Sequence, residues 1–491
     1  MFTTMCFGGL KLCRSKVAIV GFHAALLMPA LVASGQMPTI GPQVRIDLNG
    51  GTSAANEFSA AASPLDPLRV TAGWNDYRQN AWRCGFTLSF DGGETWSDFL
   101  LRPPAANQSG VEGDPFTAFD DRTGTLWAGG MSFGGNGGVF VARLDPDQQE
   151  FNPTLMADPG GNVDKAWMAA GSMPGNPDST RLYIAYNLGI IRSDDMGDTW
   201  TNPQGLGSGI GFLPRVGPNG EVYVIYWDFG AGVKLKRSLN GGAFTTHTIA
   251  TRMDVWGTQD GSRFPGAFRV PPMNSLDVDT NDGTLYAVYF DTTNIVDGNA
   301  NVDLYFTKST DQGTTWTTPV VINGDADPPG DQFFSWLEVD DHGRIHIVFL
   351  DSRHTVQDDN VFNGMFDAYY TFSDDGGDTW NEFRLTPNSW NSAFSFGGSF
   401  IGDYLGMAVA DDRVYPIYLD TSNGDADTYT NVIAFSTPGD LDGDGTVGAT
   451  DLVILLANWG PCEDCDDCPG DIDGNCSVGA TDLLILLSNW G

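Results

Sequence analysis

The chain has 491 residues, of which 62 are glycine, 12% aromatic and only 18% charged, and its formal net charge is −37. Such acidity excludes nucleic acid as a natural partner, because the chain repels a phosphate backbone. The glycine and aromatic content suits an all-β protein with many turns and disfavours a helical one.

The N-terminus has the pattern of an export signal. Lys11, Arg14 and Lys16 precede the apolar run "VAIVGFHAALLMPALVA" (17–33), and Ala33-Ser34-Gly35 forms a small-residue cleavage site. The run contains His23 and Pro29 and is short for a spanning helix. Residues 1–35 are therefore expected to be a signal peptide, and the mature protein to be secreted, extracellular or cell-surface associated, with no membrane span. Cys6 and Cys13 leave with this segment and Cys84 stands alone. Cys462, Cys465, Cys468 and Cys476 cluster in a spacing that reads as zinc ligation or as two disulfides. Export favours disulfides, and three pairings remain open.

From about 66 to 436 a unit recurs: a strand, a turn, a second strand opening on Gly-x-x-aromatic, then a third and a fourth. "LDVDTNDGTLYAVYFD", "LEVDDHGRIHIVFLD" and "AVADDRVYPIYLD" show its first half, with period-two alternation in "LYAVYF" and "IHIVFL". Seven units of blade length predict a seven-bladed β-propeller over 36–437, with six blades as the alternative. The last unit lacks a fourth strand, and "QVRIDL" (43–48) is expected to supply it and close the ring, leaving no exposed edge.

Four units share one eight-residue motif between the third and fourth strands: "SFDGGETW" (89–96), "SDDMGDTW" (193–200), "STDQGTTW" (309–316) and "SDDGGDTW" (373–380). "SLNGGAF" (238–244) is a degraded copy. The Asp is suited to accept backbone N–H bonds across the turn, the glycines permit positive φ, and the Trp can bury between sheets. The motif reads as a structural stitch on the face opposite the loops that join one unit to the next.

These motifs resemble the Asp-boxes (BNR repeats) of sialidase-like propellers, over most of 43–436. The resemblance implies a glycan ligand and a glycoside hydrolase of exo-sialidase type, hydrolysing O-glycosyl bonds in polysaccharide catabolism. The alternative is a non-catalytic propeller that binds glycan or protein in an extracellular assembly. The family clamps its substrate carboxylate with three arginines, the first in a Phe/Tyr-Arg-Ile-Pro motif. Here only Arg45-Ile46 of "QVRID" agrees.

The pocket is expected among the unit-joining loops, including "GVEGDP", "NVDKAW", "GSRFPGAFR", "DQFFSW" and "FIGDYLG", and beside strand ends at Asp76, Asp228, Asp291, Asp351 and Asp420. Glu112, Asp114, Asp403 and Tyr404 combine ionisable groups with tight, glycine-rich backbone, and "LDSRH" adds Arg353. These five are the candidate catalytic residues. The strand-end aspartates have a simpler reading, as caps of their own loops.

At 438–491 the composition changes. "DLDGDGTVGATD" (440–451) and "DIDGNCSVGATD" (471–482) each precede an apolar helical run. They place calcium-type oxygen ligands at Asp440, Asp442, Asp444, Thr446 and Asp451, and at Asp471, Asp473, Asn475, Ser477 and Asp482. A loop with a helix after it and none before, ending in Asp rather than Glu, resembles a type I dockerin. That resemblance implies bound calcium and a cohesin-like scaffold partner, selected through Ala449-Thr450 and Ala480-Thr481, whose identity allows either orientation. The second loop departs at Cys476, where glycine usually makes the sharp turn.

Overall fold

In a computed structural model, residues 37–48, 54–79, 82–101, 111–133, 137–229, 231–251, 268–296, 299–324, 330–355, 364–435, 437–442, 447–462, 465 and 468–490 are described. The expected signal peptide, Asp444 and Thr446 lie outside these residues.

Short antiparallel strands make up nearly all of the regular structure. The first sheet is built in order from Ala55–Ser63, Asp66–Asp76, Arg83–Ser89 and Ser97–Leu100. Five further sheets start at Gly113–Phe119, Trp167–Met173, Ile210–Val216, Ser275–Val278 and Gln332–Val339 and repeat this meander. The one opening at Trp167 keeps three strands, with Gln204 bridged to Ile190 where a fourth would run. The last of the series contains Gly406–Ala410, Arg413–Asp420 and Asp427–Thr430. Its edge is completed from the other end of the chain, since Val44 pairs with Thr430 and Arg45 with Tyr429.

The first strand of each sheet lies against the first strand of the next, and that of the last sheet lies against Ala55–Ser63. This closed ring matches a β-propeller. It explains why second strands such as Ile345–Asp351 are buried along their whole length. Each sheet has a neighbour on both faces, so a run of β-branched and aromatic residues is covered on both sides.

The eight-residue motif behaves as a local stitch. In the copy at 373–380, Asp375 Oδ1 accepts the Thr379 N–H at 2.9 Å, Oδ2 accepts the Thr379 hydroxyl at 2.6 Å, and Ser373 Oγ accepts the Gly377 N–H at 2.8 Å. The copies at Asp91, Asp195 and Asp311 repeat the aspartate–threonine bonds. Gly377 has φ 90°, and a Cβ there would stand 2.2 Å from the Phe306 ring of the preceding sheet. Trp380 meets the same ring edge-on at 5.0 Å. The motif thus pins each turn to the sheet before it. Trp380→Ala is expected to lower stability by about 2 kcal/mol, less than for a fully buried tryptophan, and to leave ligand binding unchanged. Thermal melts and binding titrations on the same variant check both halves.

The C-terminal segment carries the two α-helices found among the described residues, α1 (Ala449–Ala457) and α2 (Ala480–Ser488), which share a small core of Val447, Leu455, Val478 and Leu486. The cysteine cluster forms two disulfides, Cys462–Cys468 and Cys465–Cys476. Cys84 is free and buried. No helix among the described residues is long and apolar enough to cross a membrane.

Candidate functional site

On the face that carries the unit-joining loops, a pocket of about 410 Å³ opens at the ring. Its floor is a buried ion cluster, and a local backbone feature aims the groups that build it. The first strand slips register against the second between Asn56 and Ser59 in the first sheet and between Gly113 and Phe116 in the second. Such bulges redirect side chains. Glu57 and Asp114 sit in these bulges with φ of 57° and 46°, and Lys165, just ahead of the third sheet, has φ 55°. Left-handed backbone costs a bulky residue about 1–2 kcal/mol, and the ion cluster offsets it.

Lys165 is the centre. Its Nζ donates to Glu57 Oε1 at 2.7 Å, lies 2.7 Å from Asp403 Oδ2 and 3.7 Å from Asp114 Oδ1, and stands 5.2 Å over the Tyr404 ring. Its backbone N–H donates to Asp114 Oδ2 at 2.5 Å. Asn75 Nδ2 donates to Glu57 Oε2 at 2.6 Å, and the Tyr404 hydroxyl donates to Asp114 Oδ1 at 3.4 Å. Arg269 closes the cluster from the solvent side with two bonds to Asp403, at 2.8 and 2.5 Å. Glu57, Asp114, Lys165, Asp403 and Tyr404 are all buried, whereas half of the Arg269 side chain is exposed.

Burial raises the carboxyl pKa of Glu57 and Asp403, and Lys165 opposes this in both. The carboxylates in turn hold Lys165 well above its ordinary value, against its own desolvation. Asp164 lines the pocket, and burial raises its pKa too. No hydrogen bond to its carboxylate is found among the described residues. Trp82, Phe133, Phe400 and Tyr77 form the walls, with Trp82 57% exposed and edge-on to Phe133 at 5.5 Å.

Of the five candidates read from sequence, Asp114, Asp403 and Tyr404 meet in this cluster. Glu112 lines the pocket, where its Oε2 accepts the Phe133 N–H at 2.5 Å. Arg353 is not part of the site. Its guanidinium is held by Asp351 at 2.6 Å and Glu382 at 2.8 Å. Arg78 makes the same pair of contacts in the first sheet, to Asp76 at 2.5 Å and Asp98 at 2.7 Å. A position repeated in this way braces a strand exit, so Arg353 belongs to the scaffold. Asp76, Asp351 and Asp420 likewise accept backbone N–H bonds two residues on, from Arg78, Arg353 and Ser422. Arg45 pairs with Asp47 and Asp427 at the outer edge of the ring and does not line the pocket.

Glu57, Asp164, Lys165 and Arg269 were not singled out from sequence. Lys165 and Arg269 lie in "NVDKAW" and "GSRFPGAFR", and cations are scarce here, 25 against 62 acidic residues. A lysine in a pocket-facing loop of so acidic a chain was the available signal.

In the C-terminal segment, carboxylate oxygens of Asp440, Asp442 and Asp451 lie within 4.8 Å of one another, as do those of Asp471, Asp473 and Asp482. Asp451 accepts the N–H groups of Leu441 at 2.6 Å, Asp442 at 3.0 Å and Gly448 at 2.7 Å. Asp482 does the same with Ile472, Asp473 and Gly479. In both segments the carboxylate near the helix start gathers backbone N–H groups from the two ends of the loop before it. Cys476, in the disulfide with Cys465, takes φ 62° where glycine is usual. Hard oxygen donors converging at this spacing fit a calcium ion.

No protein-family model matches the chain, and no curated protein does. Solved structures similar to it include the BP39L lectin from Burkholderia pseudomallei, at 11% identity over 77% of this chain and 95% of that one, TM-score 0.47. Trypanosoma rangeli sialidase bound to the inhibitor DANA shows 13% identity over 80% and 60%, TM-score 0.41. The GH93 α-L-arabinofuranosidase of Fusarium graminearum with arabinobiose shows 13% over 80% and 98%, TM-score 0.40. Likeness at this level has no bearing on activity.

Proposed function

We propose that the chain is a secreted, seven-bladed, sialidase-like propeller whose pocket binds a neutral glycan, delivered by a calcium-dependent dockerin-like tail to a cohesin-like scaffold domain. The pocket carries this reading. Aromatic walls above a rigid array of carboxylates suit the apolar faces and hydroxyls of a sugar. Among the described lining residues, Glu57, Glu112, Asp114 and Asp164 face only Lys165 and Arg269 as cations, and buried Asp403 adds a carboxyl beneath them. That balance repels an anionic sugar, and no trio of arginines is present there to clamp a carboxylate. Asp440, Asp442, Asp451, Asp471, Asp473 and Asp482 would hold calcium, and Ala449, Thr450, Ala480 and Thr481 at the helix starts would face the scaffold partner.

Asp164 favours hydrolysis as a second reading. A carboxyl with a raised pKa and no hydrogen-bond partner among the described residues is suited to donate a proton to a leaving oxygen, with the Glu112 carboxylate as the base or nucleophile. The full chain should be screened on a glycan array and on chromogenic glycosides. Neutral glycans are expected to bind, and Trp82→Ala to weaken binding by roughly ten-fold at unchanged melting temperature. Asp164→Asn should abolish any turnover while binding persists. Selective binding of sialylated glycans, or none at all, would refute the neutral-glycan pocket.

A further inference from the structure

The two acidic loops of the C-terminal segment are near copies, and they depart from one another most at the sixth position, where Gly445 of the first is matched by Cys476 of the second. Cys476 takes the left-handed conformation, with φ 62°, which is costly for any residue but glycine. The turn it makes also aims the first acid of its loop. The Cys476 N–H donates to Asp471 Oδ2 at 2.8 Å and the Asn475 N–H donates to Asp471 Oδ1 at 3.1 Å.

A covalent link holds this costly turn in place. The Cys465–Cys476 disulfide ties it to the connection that leaves α1, and Cys462–Cys468 closes that connection on itself. The Cys462 N–H donates to the Cys476 carbonyl at 3.0 Å, and Gly460 and Pro461 pair with Val478 and Ser477 just beyond it. Cys465 is exposed and Cys476 half-buried, so a thiolate reaches the bridge from solvent. A dithiol attacks Cys465 Sγ, passes through a mixed disulfide and leaves as its own cyclic disulfide. It thereby delivers two electrons and two protons, which leave thiols at Cys465 and Cys476. Residues 465–476 then regain the freedom that the bridge withheld, and the left-handed turn under Asp471 loses its covalent support. The first loop has glycine at this position and no cysteine, so it stands in the same chain as an internal control.

We propose that the second acidic loop is a redox-gated calcium site, pre-organised by the Cys465–Cys476 disulfide and weakened when a small dithiol opens it, while the first loop binds calcium in either redox state. This rests on the calcium reading of both loops and adds a regulation to one of them. By linkage, calcium in the second loop favours the closed disulfide by the same factor.

The test is calorimetric titration of the full chain with calcium chloride, oxidised and after incubation with dithiothreitol. Two sites are expected in the oxidised chain. In the reduced chain one is unchanged and the other is weaker by roughly ten-fold or more, as expected when pre-organisation is lost. Cys465→Ser with Cys476→Ser should reproduce the reduced behaviour without reductant. Cys465→Ser with Cys476→Gly, which restores the glycine of the first loop, should recover the affinity and make it indifferent to dithiothreitol. In a dithiol–disulfide buffer, calcium should lower the alkylation of Cys465 and Cys476, read by mass spectrometry of their peptides. Two sites of unchanged affinity after reduction, or equal weakening of both, would overturn the gating while leaving the calcium reading intact. No uptake even by the oxidised chain would overturn the calcium reading and the gating with it.

Discussion

Lys165→Met is expected to destabilise the protein by about 3–5 kcal/mol, the usual cost of removing one partner from a buried charge network. Lys165 lies among Glu57 of the first sheet, Asp114 of the second and Asp403 just ahead of the last, so the loss loosens the closure as well as the pocket floor. The pH dependence has a definite sign. Glu57 and Asp403 already sit above their ordinary pKa through burial. Without the lysine they rise further, so the folded variant holds protons that the unfolded chain releases. Its stability therefore falls as pH climbs from the ordinary carboxylate range, near 4, through the raised folded values. Denaturant unfolding of wild type and variant at pH 5 and pH 8 should show the smaller gap at pH 5. An equal gap at both, or one below about 1 kcal/mol, would mean that the cluster is not held together by its charge.

Calcium removal is expected to have the second largest effect, confined to the C-terminal segment. Asp440, Asp442 and Asp451 crowd their carboxylates together, and the core beneath them is only Val447, Leu455, Val478 and Leu486. Mutual repulsion across so small an apolar core leaves closure dependent on a cation. The full chain should take up two calcium ions by calorimetry. With chelator, limited proteolysis should cut after about residue 438 while the ring stays intact. Asp442→Ala with Asp451→Ala should weaken calcium uptake by roughly a hundred-fold, since ligand charge sets affinity in such loops. The same pair at Asp473 and Asp482 should cost the segment less of its order, because the Cys465–Cys476 disulfide braces the second loop. No calcium uptake by the wild-type chain would remove the dockerin-like reading.

What the sequence determined by itself was everything local. The strand alternation, the stitch around each motif aspartate and the spacing of the acidic loops all have their causes within about a dozen residues, so they are visible in one dimension. The pairing of Val44–Arg45 with Asp427–Thr430 was also legible, because a unit missing its edge strand and a lone strand near the start imply each other. The choice of cysteine pairs was not, since spacing alone permits all three. The pocket floor was legible only in part, since Asp114, Asp403 and Tyr404 stood out in sequence while Glu57, Lys165 and Arg269 did not. Glu57, Asp114, Lys165, Arg269 and Asp403 are spread over more than three hundred residues and meet only because the ring closes and the bulged starts of the first two sheets turn Glu57 and Asp114 inward. Arg353 shows the converse. In sequence it reads as a candidate catalytic residue, and only its contacts with Asp351 and Glu382 reveal a brace. A charged residue's role depends on which charges surround it after folding, and burial and long-range convergence decide that.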